Sequence, residues 1–528
     1  MLNTIEVVLG LLAAVAALGL LSRKVPIPYP VLLVLGGLLL AVIPGLPRAR
    51  LNPELVFLVF LPPLLYPAAI FMPWRDFRAN LRPIMLLAVG LVLFTTIAVG
   101  LLAHYFIGLP LAAGFVLGAI ISPPDAIAAA AIAERLRVPR RIVTILEGES
   151  LVNDATALVA FRFAVAAVAT GTFSLGHAAL KFLLVCVGGL AVGLVVGWVS
   201  AWIQKRIDDP PIEITISLLT PFASYLPAEQ LGASGVLAVV TTGLYHGWRL
   251  PEFTTSRTRL QAGPVWQMIE FLLNGFIFLL IGLELPEVLG ALKGQSIPRL
   301  VWYAAIISLA VIVIRILWVF PATYLPRLLF PRLRECDPAP PWQHVAIIAW
   351  TGMRGVVSLA AASALPLTTM NGAPFPGRDL ILFLTFVVIL ATLVVQGLSS
   401  PAFIRWLGVE DDGEAEHEEW LARVKANEAA LARLEEIGRS EKVDPATLER
   451  LRAEYEDRLR QLEASRPETV GLPRRLFSSD YERLLSEALK VERGTLIALR
   501  DEGVINDETL RRIQRDIDLA EARLGPTK

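Results

Sequence analysis

The sequence predicts an all-α polytopic membrane protein of about thirteen transmembrane helices, with inverted repeats, two interrupted helices and a helical cytoplasmic C-terminal tail. Three observations carry that prediction. Of 528 residues, 55% are hydrophobic and only 18% are charged, so most of the chain needs an apolar solvent. Its apolar residues form continuous runs of roughly the 20 residues that a helical span takes, without the period-two alternation of barrel strands. Near Val409 the composition turns to Glu, Arg, Ala and Leu, dividing a membrane domain at 1–408 from a tail at 409–528.

The runs centre near residues 12, 35, 60, 94, 121, 155, 190, 219, 240, 274, 310, 355 and 389. The first, from Met1, lacks a basic leading segment and a clear cleavage site, so it reads as a retained helix and not a signal peptide. Alternate loops differ in basic content. One set holds Arg23 and Lys24, Arg75 to Arg82, Arg135 to Arg141, Lys205 and Arg206, Arg249 to Arg259, and Arg327 to Arg334, while the intervening loops hold few basic residues. The positive-inside bias makes the richer set cytoplasmic, with the N-terminus outside and the tail inside. Cys186 and Cys336 offer neither a disulfide framework nor metal-ligand spacing.

Span five contains ISPPDAIAAAAIAE, Ile121 to Glu134. Asp125 falls about sixteen residues into this span, where an ionisable group costs roughly 2.5 kcal/mol or more. Pro123 and Pro124 lack backbone N–H groups and leave carbonyls of the preceding turn without partners. Two readings stay open: the freed carbonyls and the carboxylate form a cation site, or Asp125 caps the second half-helix.

Span six, LEGESLVNDATALVAFRF, places Glu149, Ser150, Asn153 and Asp154 within about 140° of arc. Their hard oxygen donors suit a small alkali cation and lack the His and Cys partners that a transition metal favours. Glu147 lies nearer the cytoplasmic end and is expected to be solvated. Arg162, ~12 Å beyond Asp154, can snorkel to the interface and is assigned no role. In span twelve, HVAIIAWTGMRGVVSLAAASALP, Gly352 and Gly355 flank Arg354. A buried arginine demands a carboxylate, and Glu149 is the expected partner. Spans five and twelve are seven apart, the offset expected if spans one to six recur inverted as eight to thirteen. Paired interrupted spans point to a transporter site.

In the tail, Asp444-Pro445 and Ser479-x-x-Glu482 mark helix starts, and Leu448, Leu451, Leu459 and Leu462 repeat at helical spacing. A solvated bundle or coiled coil is expected, with a regulatory or dimerising role as the alternative. No nucleotide-binding fingerprint occurs there, and no nucleic-acid partner is expected.

SPPDA, GESLVND and WTGMRGVVSLAAA, in this order and spacing, resemble the bacterial sodium/proton exchangers of the cation:proton antiporter-1 family. FLPPLLYPAA from Phe60, SGVLAVVTTGLYHG from Ser234, FLLNGFIFLLIGLEL from Phe271 and LRDEGVINDETLRRI from Leu499 extend the likeness over most of the chain. The resemblance implies secondary antiport of Na+ against H+ across the cell membrane by alternating access, without a cofactor. Li+ and K+ are rival cargoes. It also implies a homodimer, in which a scaffold holds the interface and a core of spans four to six and eleven to thirteen moves the ion.

By the same resemblance Asp154 binds ion and proton in competition, Asp125 and Ser150 help coordinate the Na+, and Asn153 completes an asparagine–aspartate pair that accompanies electroneutral exchange. Glu149 and Arg354 match the supporting ion pair. Pro124 stands where relatives often carry threonine, which makes Ser122 a candidate backbone or hydroxyl ligand. Glu270 and Asn274, four apart on span ten, are secondary candidates.

Rival classes fit less well. An intramembrane aspartyl protease would show a Gly-x-Gly-Asp element, and Asp154 follows Leu151, Val152 and Asn153. A serine hydrolase elbow needs glycine where Val152 stands. Broken helices around a midplane carboxylate suit alternating access better than a continuous pore. His246 and His344 sit near span ends and read as interfacial or structural.

Overall fold

Long apolar runs become helices because backbone without water must satisfy its own polar groups. The computed structural model describes residues 2–22, 24–25, 27–41, 56–125, 129–130, 132–133, 136–170, 175–292, 296–369, 372–409, 413–440 and 444–464, with scattered positions between 488 and 517. No strand occurs among them. Two units separate by their internal packing, Met1–Glu410 and Asp411–Lys528.

The first unit contains α1 (Leu2–Ser22), α2 (Tyr29–Ala41), α3 (Val56–Ile70), α4 (Trp74–Ala79), α5 (Leu81–Ile107), α6 (Leu111–Ile121), α7 (Arg140–Thr170) and α8 (Leu175–Gln204). It continues with α9 (Pro210–Gln230), α10 (Gly235–Phe253), α11 (Ser256–Ala291), α12 (Ile297–Leu329), α13 (Pro331–Cys336), α14 (Trp342–Trp350), α15 (Val356–Ser363) and α16 (Arg378–Leu407). Among the described residues, six helices (α5, α7, α8, α11, α12 and α16) are long and apolar enough to cross a membrane. α1, α2, α3 and α6 contribute shorter apolar helices.

Two groups of helices pack against each other. In one, α2 lies along α11 while α3, α8 and α9 surround α10. In the other, α5 and α7 flank α6, and α12 packs on α5, α14 and α16. They meet where α7 touches α3 and α10, and where α11 touches α15 and α16. The α2–α11 contact shows how small residues bring helices together where no hydrophobic force distinguishes protein from lipid. A Cβ on Gly37 would fall on the Leu279 carbonyl, and one on Gly282 on the Val34 carbonyl.

Two interruptions divide the second group. α6 ends at Ile121 and helical backbone returns at 129–130 and 132–133, while α14 ends at Trp350 and α15 starts at Val356. These are the breaks expected at Pro123-Pro124 and at Gly352 to Gly355.

The second unit contains α17 (Glu414–Ser440) and α18 (Pro445–Ala464), which fold back on each other. The Trp420 indole N–H donates to the Leu462 carbonyl at 2.8 Å, and Leu448 lies against Gly438. Asp444 caps α18 as expected, accepting from the Thr447 hydroxyl at 2.7 Å and the Thr447 N–H at 3.2 Å. These bonds hold its carboxyl below the usual carboxylate range. The start expected at Ser479 lies outside the described residues.

Gly282→Ile should force α2 from α11, an overpacking cost of about 1–3 kcal/mol. The expected result is a lower thermal midpoint in detergent, read by size-exclusion after heating. Gly290→Ile, further along α11 with no atom within 4 Å of its Cβ position, should leave that midpoint unchanged.

Candidate ion-binding site

The two unwound segments cross in antiparallel sense, with Pro124 opposite Arg354. The Asp125 N–H donates to the Met353 carbonyl at 2.7 Å, and the Arg354 N–H to the Thr392 hydroxyl at 3.1 Å. Gly355 is required here, because a Cβ at that position would run into the Asp125 carboxylate.

Prolines leave gaps in the α6 ladder, and side chains fill them. Pro123 cannot donate to Ala119, so the Ser122 hydroxyl does, at 2.9 Å. Arg354 donates through Nη1 to the Ser122 carbonyl, and Asn153 through Nδ2 to the Pro124 carbonyl at 2.9 Å. These bonds bear on two expectations, the Ser122 ligand and the freed carbonyls. Ser122 is fully buried, its hydroxyl donates to Ala119, its carbonyl accepts from Arg354, and it is not among the residues lining the cavity. The carbonyls of Ala119, Ser122 and Pro124 likewise hold protein donors. The cap reading of Asp125 depends on 126–128, which lie outside the described residues.

The ion pair also differs from expectation. Glu149 is bonded by Arg315, on α12, with Nη1 to Oε1 at 2.6 Å and Nη2 to Oε2 at 2.8 Å. Both side chains are 1% exposed. Arg315 also donates through Nε to the Ile348 carbonyl at 3.1 Å, so it caps the C-terminal turn of α14 and faces the negative end of its dipole. Gly352 permits this approach, since a Cβ there would collide with Arg315 Cδ. Arg354 donates through Nη1 to the α6 terminus and forms no ion pair with Glu149, and its Nε and Nη2 have no hydrogen-bond partner among the described residues. Arg315 was missed, although a lone arginine in the apolar run SLAVIVIRILWVF is the signal that reveals it.

Asp125, Ser150 and Asp154 come together on one cavity of about 550 Å³ between the two helix groups. Asp154 is 7% exposed, and Ser150 and Asp125 are half-buried. Asn153 lies behind the wall, buried on the Pro124 carbonyl. Glu147 lines the same cavity, so it is not simply a solvated end residue, and Glu270 and Asn274 line it from α11. Arg162 pairs with Glu229 at 2.7 Å away from the cavity. His246 is a buried structural residue, bonded to Tyr66 Oη at 2.6 Å and Ser200 Oγ at 2.9 Å.

A carboxylate-lined cavity at the crossing of two interrupted membrane helices defines a secondary transporter. The sodium/hydrogen exchanger transmembrane family model matches residues 10–406. An uncharacterized Na+/H+ exchanger of Mycobacterium tuberculosis is 38% identical over 527 residues, covering 98% of this chain and 96% of its own. A sodium, potassium, lithium and rubidium/H+ antiporter of Bacillus subtilis is 34% identical over 520 residues, covering 96% and 76% respectively. The fold is shared with the sodium proton antiporter of Methanocaldococcus jannaschii at a TM-score of 0.60 and 20% identity, over 77% of this chain and 99% of that one. The chain belongs to the sodium/hydrogen exchanger family and is a multi-pass membrane protein.

Removing one member of a buried ion pair strands the other, at about 3–5 kcal/mol. Arg315→Met and Glu149→Leu should each lose most folded protein on extraction, while the double variant recovers it. A double-mutant cycle on thermal stability should give strong coupling of Glu149 to Arg315 and weaker coupling to Arg354.

Proposed function

We propose that the protein exchanges Na+ for H+ across the cell membrane, one for one, with both competing for Asp154. The observation that carries this reading is the shared cavity of Asp154, Asp125 and Ser150 beside the crossed breaks. Two carboxylates and a hydroxyl replace part of the hydration shell of a small cation, and the same carboxylate takes a proton when the cation leaves. Asn153 and Arg354 hold the α6 break, and the Glu149–Arg315 pair holds the α14 terminus, so the ligands keep their places through the cycle. The protein is a transporter and not an enzyme, and it needs no cofactor.

On this reading the chain crosses the bilayer thirteen times, with 1–408 as the exchanger, the N-terminus outside and 409–528 as a cytoplasmic tail. The basic loops support that orientation. Alternating access is a movement of the group carrying α6, α7 and α15 against the group carrying α3, α10 and α11, since the cavity lies between them. Two copies associate as a homodimer through the second of these groups. Na+ is the preferred cargo, and the breadth named for the Bacillus subtilis relative makes Li+ and K+ the competitors to test.

The decisive assay loads proteoliposomes with acid and adds Na+, Li+ or K+. Na+ should collapse the proton gradient with wild type and not with Asp154→Asn; a variant that still exchanges would sink the assignment. Because one proton competes with one cation, acidification should raise the apparent KM for Na+ by at most about tenfold per pH unit. The rate at saturating Na+ should hold, and no net current should accompany turnover.

A further inference from the structure

Ser358 stands on α15, three residues beyond Gly355. Its hydroxyl is buried, the residue is 1% exposed, and Oγ has no hydrogen-bond partner among the described residues. The helix break explains this. Hydroxyls in these helices commonly donate to the carbonyl four residues back, as Thr96 does to Val92, Ser200 to Val196, Ser224 to Thr220 and Ser400 to Gln396. For Ser358 that residue is Arg354, which lies in the unwound turn, before α15 begins. The usual acceptor is out of helical register, and the hydroxyl is left over. Tyr29, Thr95, Ser308, Ser363 and Thr385 also carry buried hydroxyls without partners among the described residues, but of these six Ser358 is the one that lines the ion cavity.

We propose that Ser358 is a further ligand of the transported cation, giving its hydroxyl oxygen to the ion that Asp154, Asp125 and Ser150 hold. With no protein donor on its oxygen, Ser358 keeps both lone pairs for an alkali cation, which favours such a hard neutral donor. The ligand set then draws on α7, the α6 break and α15, so both interrupted helices touch the ion. A neutral donor tunes selectivity without altering the charge of the site. Losing it should hurt small cations most, because they give up the most hydration energy on entry.

This inference rests on the exchange reading above, and the experiment separates the two. Cation-induced proton movement is measured in proteoliposomes with Li+, Na+ and K+ for wild type, Ser358→Ala, Ser358→Thr and Asp154→Asn, beside equilibrium binding of radioactive Na+ to purified protein. Ser358→Ala should raise the KM and Kd for Na+ by roughly tenfold, with the loss largest for Li+ and smallest for K+, and with little change in kcat. Ser358→Thr, which keeps the hydroxyl, should retain the wild-type order. Unchanged cation affinities in a folded Ser358→Ala protein, or an equal loss for all three ions, would overturn the ligand role while Asp154→Asn remains inactive. Exchange by Asp154→Asn would overturn the underlying reading instead.

Discussion

Everything at the centre of this protein depends on how two broken helices cross where water is absent. Breaking a helix exposes carbonyls, and inside a bilayer each one needs a protein donor. Here side chains act as those donors. A hydroxyl replaces a proline amide, an asparagine reaches in from the neighbouring helix, and two arginines aim at two helix C-termini. The arginines also face the negative ends of the half-helix dipoles. Arg315 needs a counter-charge once it is buried, and Glu149 supplies it in bidentate form. The ion pair follows from the breaks.

That order of causes explains what could be read in the sequence and what could not. Pro123-Pro124 and the Gly352–Gly355 pair announced both interruptions, because proline and glycine act on the backbone of their own chain segment. The donor face of α7 was also legible, since helical periodicity places Ser150 and Asp154 on a shared side. Partnership across helices was not. Arg354 and Arg315 are both lone arginines in apolar helices, and choosing which meets Glu149 requires knowing how α12 packs on α14. Ser122 is a candidate ligand because Pro124 stands where relatives often carry threonine. Its engagement with Ala119 depends on a vacancy created by the next residue, which composition alone does not reveal.

On the proposed reading, the arrangement also separates the parts that stay fixed from those that move. The hydrogen bonds of the crossing lie among α6, α7, α12, α14 and α16, whereas the cavity is closed on its other side by α3 and α11. Packed helices slide more readily than buried ion pairs break. Movement at the cavity boundary therefore preserves the ligands, and movement through the crossing would strand charges.

Charge at the crossing leads to the same conclusion about coupling. Glu149 and Arg315 form one bonded unit with no net charge. The carboxylates of Asp125 and Asp154 stay on the cavity wall, with Glu147 and Glu270 in the same lining. On the proposed reading, one Na+ or one H+ neutralises Asp154, and the loaded crossing carries the same net charge in both halves of the cycle, so the membrane potential favours neither direction. An unloaded crossing retains a negative charge in low dielectric, which disfavours its passage without cargo. On the proposed reading, that penalty on the empty form ties the outward movement of one ion to the inward movement of the other.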